Sequence, residues 1–136
     1  MESQPLKHLK GRDIQAMLKS IHTQPLNLKT RCAFRDEVTG TRGKLDVQVK
    51  EAAVKRFAAE INVPKHGICR FNMKDFVQTA AQPVKLAHAS SDCAVRIWEQ
   101  GERVTVAFAN CAMQCERDAF DYVWPILVDR KVGRCL

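Results

Sequence analysis

Residues 51–73 have the sequence EAAVKRFAAEINVPKHGICRFNM, and the secondary structure of this stretch decides the fold class. Its first part, residues 51–61, is rich in alanine, and Val54 and Phe57 to Ile61 fit one apolar stripe of a helix. The pattern therefore predicts a helix over 51–61. After Pro64 the pattern is open, because residues 67–73 could form a short strand or the second helix of a helical pair.

Within this stretch, residues 54–71 resemble the helix-turn-helix of bacterial transcription regulators. Small Ala58 stands where two helices would cross, and Asn62 occupies the turn position usually held by glycine, since asparagine tolerates the left-handed conformation. Gly67 departs from the pattern, because inside a recognition helix it would cost about 1 kcal/mol relative to alanine. The resemblance implies that four residues face a major groove: Lys65, His66, Cys69 and Arg70.

The positive charge of the chain is concentrated in its first half. Residues 1–70 contain fourteen Lys and Arg against seven Asp and Glu, whereas residues 71–136 contain eight of each, so the first half carries the whole net charge of +7. A localised positive field attracts polyanions. We therefore expect a nucleic acid, DNA in the first place, or an acidic protein as the partner, with further contacts from Arg31, Arg42, Lys44 and Lys55.

Hydrophobic periodicity predicts the elements on either side. We expect a helix over residues 12–21, a hairpin of strands at 26–34 and 45–49, and a short helix over 74–81. Three strands at 84–88, 93–97 and 104–108 should follow, and then a helix from Asn110 to Trp124. The sequence thus predicts a single α+β domain over 1–136, with a small antiparallel sheet and three to four helices.

The six cysteines are expected to be reduced. The first five residues offer no apolar signal-peptide core and no stretch is long enough to span a bilayer, so we predict a cytoplasmic protein without a membrane partner. In the cytoplasm Cys32, Cys69 and Cys93 would be small buried hydrophobes.

Two chemical alternatives involve these cysteines. On a helix Cys111 and Cys115 could share a metal with His88 and Cys93, but the paired-cysteine spacing of structural zinc is absent, so no metal site is predicted. His66 and Cys69 are the only close histidine and cysteine pair, and nothing nearby orients the histidine or provides an oxyanion site. We therefore predict neither an enzyme nor a cofactor.

The functional hypothesis is a small DNA-binding regulator that uses residues 51–73 and the basic hairpin from Arg31 to Lys44. Residues 84–124 would serve packing or self-association, with a two-fold homodimer expected. The alternative is a non-enzymatic protein-interaction module, such as a phage- or plasmid-type inhibitor or adaptor, whose basic half docks on an acidic partner.

Overall fold

The computed structural model describes residues 24–136, and in this range the chain is built from ten β-strands. The helix predicted over residues 12–21 lies outside the described residues. In chain order the strands are β1 (Leu28–Arg35), β2 (Arg42–Lys50), β3 (Ala53–Val63), β4 (Gly67–Asn72), β5 (Phe76–Ala81), β6 (Val84–His88), β7 (Ala94–Gln100), β8 (Arg103–Ala109), β9 (Ile126–Asp129) and β10 (Arg134–Cys135).

The strands form two antiparallel sheets. The first has the order β1-β2-β3-β4 and the second the order β10-β9-β8-β7-β6-β5. No described helix reaches seven residues, and the three helical segments are single 3-10 turns of three or four residues. The predicted α+β class with three to four helices is therefore wrong, and the described chain is all-β.

The predicted hairpin of the first half is confirmed. Strand β1 pairs with β2 over eight residues, from Leu28 opposite Val49 to Arg35 opposite Arg42. Apolar and polar residues alternate along both strands, so one face of the hairpin is buried and the other is exposed. Period-two alternation predicts these two strands correctly because each strand has one face in solvent.

The helix predicted over 51–61 is wrong, because this segment turns and then forms β3. Glu51 and Ala52 both have positive φ, 48° and 67°, and they join Lys50 of β2 to Ala53 of β3 as a two-residue hairpin turn. The alanines that indicate a helix instead suit crowded positions in the sheet, since Ala59 is buried in the core. Tertiary packing overrides their intrinsic helix preference.

The following segments are also strands. Residues 67–72 form β4, which pairs with β3 from Val63 opposite Gly67 to Ala58 opposite Asn72. The helix predicted over 74–81 is wrong, because most of it is β5, which pairs with β6.

The second half confirms three predicted strands and corrects the last helix. Strands β6, β7 and β8 form an antiparallel meander, and Gly101, with φ of 63°, lies in the turn between β7 and β8. Residues 110–125, predicted as one helix to Trp124, instead form a connection with two 3-10 turns, Ala112–Gln114 and Ala119–Tyr122. After this connection the chain returns as β9 beside β8.

Both sheets contribute to one hydrophobic core. From the first sheet it takes residues such as Val47 and Ile61, and from the second Leu86, Ile97 and Val106. The inner faces therefore pack against each other, and the outward face of each sheet is left for other contacts.

The prediction of reduced cysteines is wrong for the folded chain, because all six are paired. The bonds are Cys32–Cys135, Cys69–Cys115 and Cys93–Cys111. The first joins β1 to β10, and the second joins β4 to the 110–125 connection. The two edge strands of the first sheet are thus both covalently attached to the rest of the molecule.

Removal of the longest-range disulfide should lower stability markedly. The bond Cys32–Cys135 spans 103 residues of sequence, and in the chain-entropy description closing a loop of this size in the unfolded chain stabilises the fold by about 4.7 kcal/mol. We expect Cys32→Ala/Cys135→Ala to lose about 2–5 kcal/mol of unfolding free energy in guanidinium titrations. A loss below about 1 kcal/mol would show that this bond does not restrain the fold.

Gly67 should be intolerant of a side chain. Its φ is 125°, and a Cβ at this position would lie 2.7 Å from Cβ of Glu116. Gly67→Ala should therefore cost about 2 kcal/mol or more in thermal or chemical unfolding. The matched control is Gly101→Ala. Gly101 also has positive φ, but a Cβ there would meet no atom within 4 Å, so the substitution should lower the free energy of unfolding by only about 1 kcal/mol. Equal losses would contradict the packing of Gly67 on Glu116.

Candidate functional site

The outward face of the first sheet carries a dense group of cations, which we call the basic face. The alternation along β1 to β4 directs eight Lys and Arg and only two carboxylates to this side, so its formal charge is +6. The cations are Lys29, Arg31, Arg35, Arg42, Lys44, Lys50, Arg56 and Arg70, and the carboxylates are Asp46 and Glu60. An excess of this size on one sheet produces a strong local positive potential.

Asp46 on β2 is held between two arginines. The Nε atom of Arg31 lies 3.2 Å from one carboxylate oxygen and the Nε atom of Arg56 lies 3.0 Å from the other. Arg56 also donates a hydrogen bond to Oε1 of Gln48, at 2.8 Å. These contacts fix the arginine side chains, although pairs this exposed contribute little to stability.

Glu60 on β3 has a similar arrangement. Nζ of Lys44 lies 3.5 Å from Oε1, and Nε of Arg70 lies 3.2 Å from Oε2. Arg70 also reaches Glu116 in the 110–125 connection, at 3.5 Å. Each carboxylate thus has two cations on the face, which orients the cations without neutralising the patch.

Four further cations have no carboxylate partner among residues 24–136. Lys29, Arg35, Arg42 and Lys50 are all exposed, and Arg35 and Arg42 stand directly opposite each other in the β1–β2 register. Two adjacent like charges repel unless an anion lies between them. This end of the basic face is therefore the most favourable position for an external carboxylate or phosphate.

Small residues make a shallow trough in the middle of the face. Ala33 and Ala58 lie in its floor, while Arg31, Lys44 and Arg70 stand around them, and the trough has a volume of about 720 Å³. The floor is apolar and the walls are charged. Such a surface can accept an extended chain or a flat protein surface whose acidic groups reach the walls.

The structure brings together half of the residues predicted to bind nucleic acid. Arg31, Arg42, Lys44 and Arg70 share the basic face, on three different strands. The other four are dispersed: Lys55 is exposed at a bulge in β3, Lys65 lies in the β3–β4 turn, His66 contacts the 110–125 connection, and Cys69 is in a disulfide.

The helix-turn-helix interpretation is wrong, because residues 54–71 are strands β3 and β4 and the turn between them. Lys65, with φ of 72°, and Arg70 do not lie on one helix face. The sequence did not single out four other cations of the basic face: Lys29, Arg35, Lys50 and Arg56. Lys29 and Arg35 share period-two spacing with Arg31 on β1, and Lys50 shares it with Lys44 on β2. This alternation could have indicated these three cations, whereas Arg56 required β3 to be recognised as a strand.

The metal site and the cysteine nucleophile considered from the sequence both require free thiols, and these cysteines have none. Cys111 and Cys115 bond to Cys93 and Cys69 respectively, so none of these four sulfurs is a thiolate that could bind a metal or attack a substrate. Among residues 24–136 no cluster of three or more metal-ligating side chains is present. In the same range no helix has the length and apolar character needed to cross a bilayer.

A second concave region, which we call the aromatic cleft, lies at the tip of the β1–β2 hairpin. It has a volume of about 690 Å³, and Val38, Pro64, Tyr122 and Trp124 are among its lining residues. The sequence suggests only a core or interface role for Tyr122 and Trp124, and Trp124 is 80% exposed. Its side chain therefore does not belong to the core.

His66 fixes one wall of this cleft. Its Nδ1 lies 2.9 Å from Oδ1 of Asp118, and its ring stacks on Tyr122 with a centroid distance of 4.0 Å. The hydrogen bond from His66 lowers the pKa of Asp118 below its ordinary value of 3.8. The wall is thus ordered by a polar contact and a ring contact together.

Comparison with protein-family models, with curated proteins and with solved structures found no match for this chain.

The Asp118–His66 contact should be sensitive to acid. Because the pKa of Asp118 is lowered in the folded state, the contact stabilises the fold at pH values above the ordinary carboxyl pKa and is lost as the pH falls through the lowered value. We expect the ¹³C shift of the Asp118 carboxyl to titrate below 3.8. His66→Phe keeps a ring against Tyr122 but removes the hydrogen bond, so it should return the titration towards the ordinary value. An unchanged midpoint would contradict the assigned cause.

Proposed function

We propose that this protein is a non-enzymatic binding module that docks its basic face on an acidic surface of a partner protein. The observation that carries the proposal is the imbalance on that face, where eight cations surround two carboxylates. Electrostatic complementarity of this kind accelerates association and selects among partners.

The unpaired cations support a role beyond solubility. Lys29, Arg35, Arg42 and Lys50 have no carboxylate within ion-pair distance among residues 24–136, whereas Arg31, Lys44, Arg56 and Arg70 are held in place by Asp46 and Glu60. Ordered cations lose little conformational freedom when a ligand binds. The face thus combines preorganised donors with unsatisfied charge.

One feature of the face favours an acidic protein over a nucleic acid. The outward positions of β1 to β4 carry no aromatic side chain, so bases lying among the cations have no ring on which to stack. A carboxylate-rich protein segment needs no such ring among the cations.

The disulfides favour an oxidising compartment as the place of action. Bonds of this kind persist in secreted, periplasmic or lumenal proteins and are rare in the cytosol. The cytoplasmic localisation predicted from the sequence rests on the expectation of reduced cysteines, whereas all six cysteines are paired in the fold. We infer instead that the partner shares an oxidising environment with this protein.

A charge-reversal experiment tests the docking face. Lys29→Glu/Arg42→Glu removes two unpaired cations from the basic face, and we expect it to weaken binding of fluorescent poly-L-glutamate at least tenfold, about 1.4 kcal/mol. Binding by the wild type should weaken as salt rises, since exposed charges are screened. Fluorescence anisotropy at several salt concentrations measures both effects.

The matched control is Arg96→Glu/Arg103→Glu, which makes the same change in net charge on exposed residues of β7 and β8 in the second sheet. This variant should retain most of the affinity. Equal losses in both variants would mean that only total charge matters and would overturn the proposal. Tighter binding of duplex DNA or single-stranded RNA than of polyglutamate, with loss on the same face, would replace the acidic protein by a nucleic acid.

A further inference from the structure

The aromatic cleft gathers exposed apolar side chains that the core does not use. Val38 is 94% exposed and Trp124 80% exposed, and Tyr122 and Leu136 are also exposed. All four line the cleft. Contiguous exposed apolar groups mark binding sites, and Trp and Tyr are the residues that most often dominate the energy of an interface.

The cleft is preorganised on two sides. On one side, the Asp36 carboxylate accepts hydrogen bonds from the backbone N–H groups of Val38, at 2.8 Å, and Thr39, at 3.3 Å. These bonds order the hairpin tip and lower the pKa of Asp36. On the other side, the His66 contacts with Asp118 and Tyr122 hold the second wall. Ordered walls reduce the entropy lost when a ligand binds.

The cleft is continuous with the basic face. Phe34 and Arg35 line both the aromatic cleft and a concave region of the face that also includes Arg42 and Lys44. From Lys29 to Arg35 the face runs along β1 for about 20 Å, and the cleft begins at its end. A ligand lying along this strand would reach the cleft directly after the cations.

The charges of the face and of the cleft differ in sign, so they require different chemistry in the two parts of a ligand. Cations dominate the face, whereas Asp36 and Glu37 stand at the rim of the cleft and would repel an acidic group placed there. An occupant of both surfaces must therefore be acidic over the face and apolar in the cleft.

We propose that the ligand is an extended segment of a partner protein in which a stretch of about six acidic residues adjoins an aromatic or aliphatic anchor, the anchor filling the aromatic cleft against Trp124. This inference rests on the proposed function, since the acidic stretch binds the basic face. It adds the identity of the recognition element: acidic residues supply attraction, and the apolar anchor supplies most of the selectivity.

Labelled peptides test the inference with the full chain. The acidic-apolar probe has six glutamates, two glycines and a Phe-Leu-Phe triplet, the acidic-polar probe has three serines in place of the triplet, and each is made with the triplet at either end. We expect wild type to bind the better acidic-apolar probe at least tenfold tighter than its acidic-polar counterpart. Trp124→Ala should abolish this advantage without changing affinity for the acidic-polar probe.

The matched control is Met113→Ala, because Met113 is 82% exposed but does not line the cleft. It should keep the tenfold advantage. Trp98→Phe supplies a second readout, since the emission of the remaining Trp124 should shift to shorter wavelength when the acidic-apolar probe binds and stay unchanged with the acidic-polar probe.

Each outcome has one interpretation. Salt-sensitive binding of both probes with equal affinity would overturn the anchor inference and leave the proposed function intact. No binding of either probe would overturn both. In a third probe serines replace the glutamates and the triplet is kept. If it binds as tightly as the acidic-apolar probe, the cleft acts without the basic face, and the inference is overturned as well.

Discussion

Two disulfides fasten the edges of the first sheet, and the basic face and the aromatic cleft both rely on them. In the order β1-β2-β3-β4, the outer strands are β1 and β4, and Cys32–Cys135 and Cys69–Cys115 attach these two strands to β10 and to the 110–125 connection. An edge strand is ordinarily the part of a sheet most exposed to fraying or to pairing with another chain. Here both edges are held covalently, so the sheet between them keeps a fixed face.

The fixed face allows an unusual charge distribution. Eight cations on one sheet repel one another, and this repulsion opposes folding. Asp46 and Glu60 relieve part of it by accepting two cations each on the face, and the covalent edges and the shared core supply the remaining restraint. The structure therefore tolerates Arg35 and Arg42 side by side, which is the feature that a binding partner could best exploit.

The same tethers shape the aromatic cleft. Cys111 and Cys115 fix the start of the 110–125 connection, and the backbone N–H of Glu116 donates to the carbonyl of Ile68 on β4. This path carries Tyr122 and Trp124 to the side of the β1–β2 hairpin tip.

The sequence predicts the amphipathic strands but not the segments whose structure depends on distant contacts. Alternation identifies β1, β2, β6 and β7, because in each of them one face is buried and the other is more exposed. It also identifies β8, although there Thr105, between Val104 and Val106, is buried as well.

Alternation fails to identify β3, because Ala58 and Ala59 favour a helix locally. In the structure Ala59 is buried in the core and Ala58 lies in the floor of the trough. Alternation also fails at residues 110–125, because the cysteines that hold this connection find partners 18 and 46 residues away in the chain, a pairing that spacing does not reveal. The charge asymmetry of the sequence indicates a basic first half but not which cations share one face. That depends on the strand pairing, in which Glu60 stands between Lys44 and Arg70.

Peptide mapping of the non-reduced protein can show whether the edges of the first sheet are held covalently. Proteolysis without reductant, followed by mass spectrometry, should identify three linked pairs, Cys32 with Cys135, Cys69 with Cys115 and Cys93 with Cys111. Six free thiols in the folded protein, or any other pairing of Cys32 or Cys69, would show that the edges of the sheet are not held in this way and that neither the basic face nor the cleft depends on them.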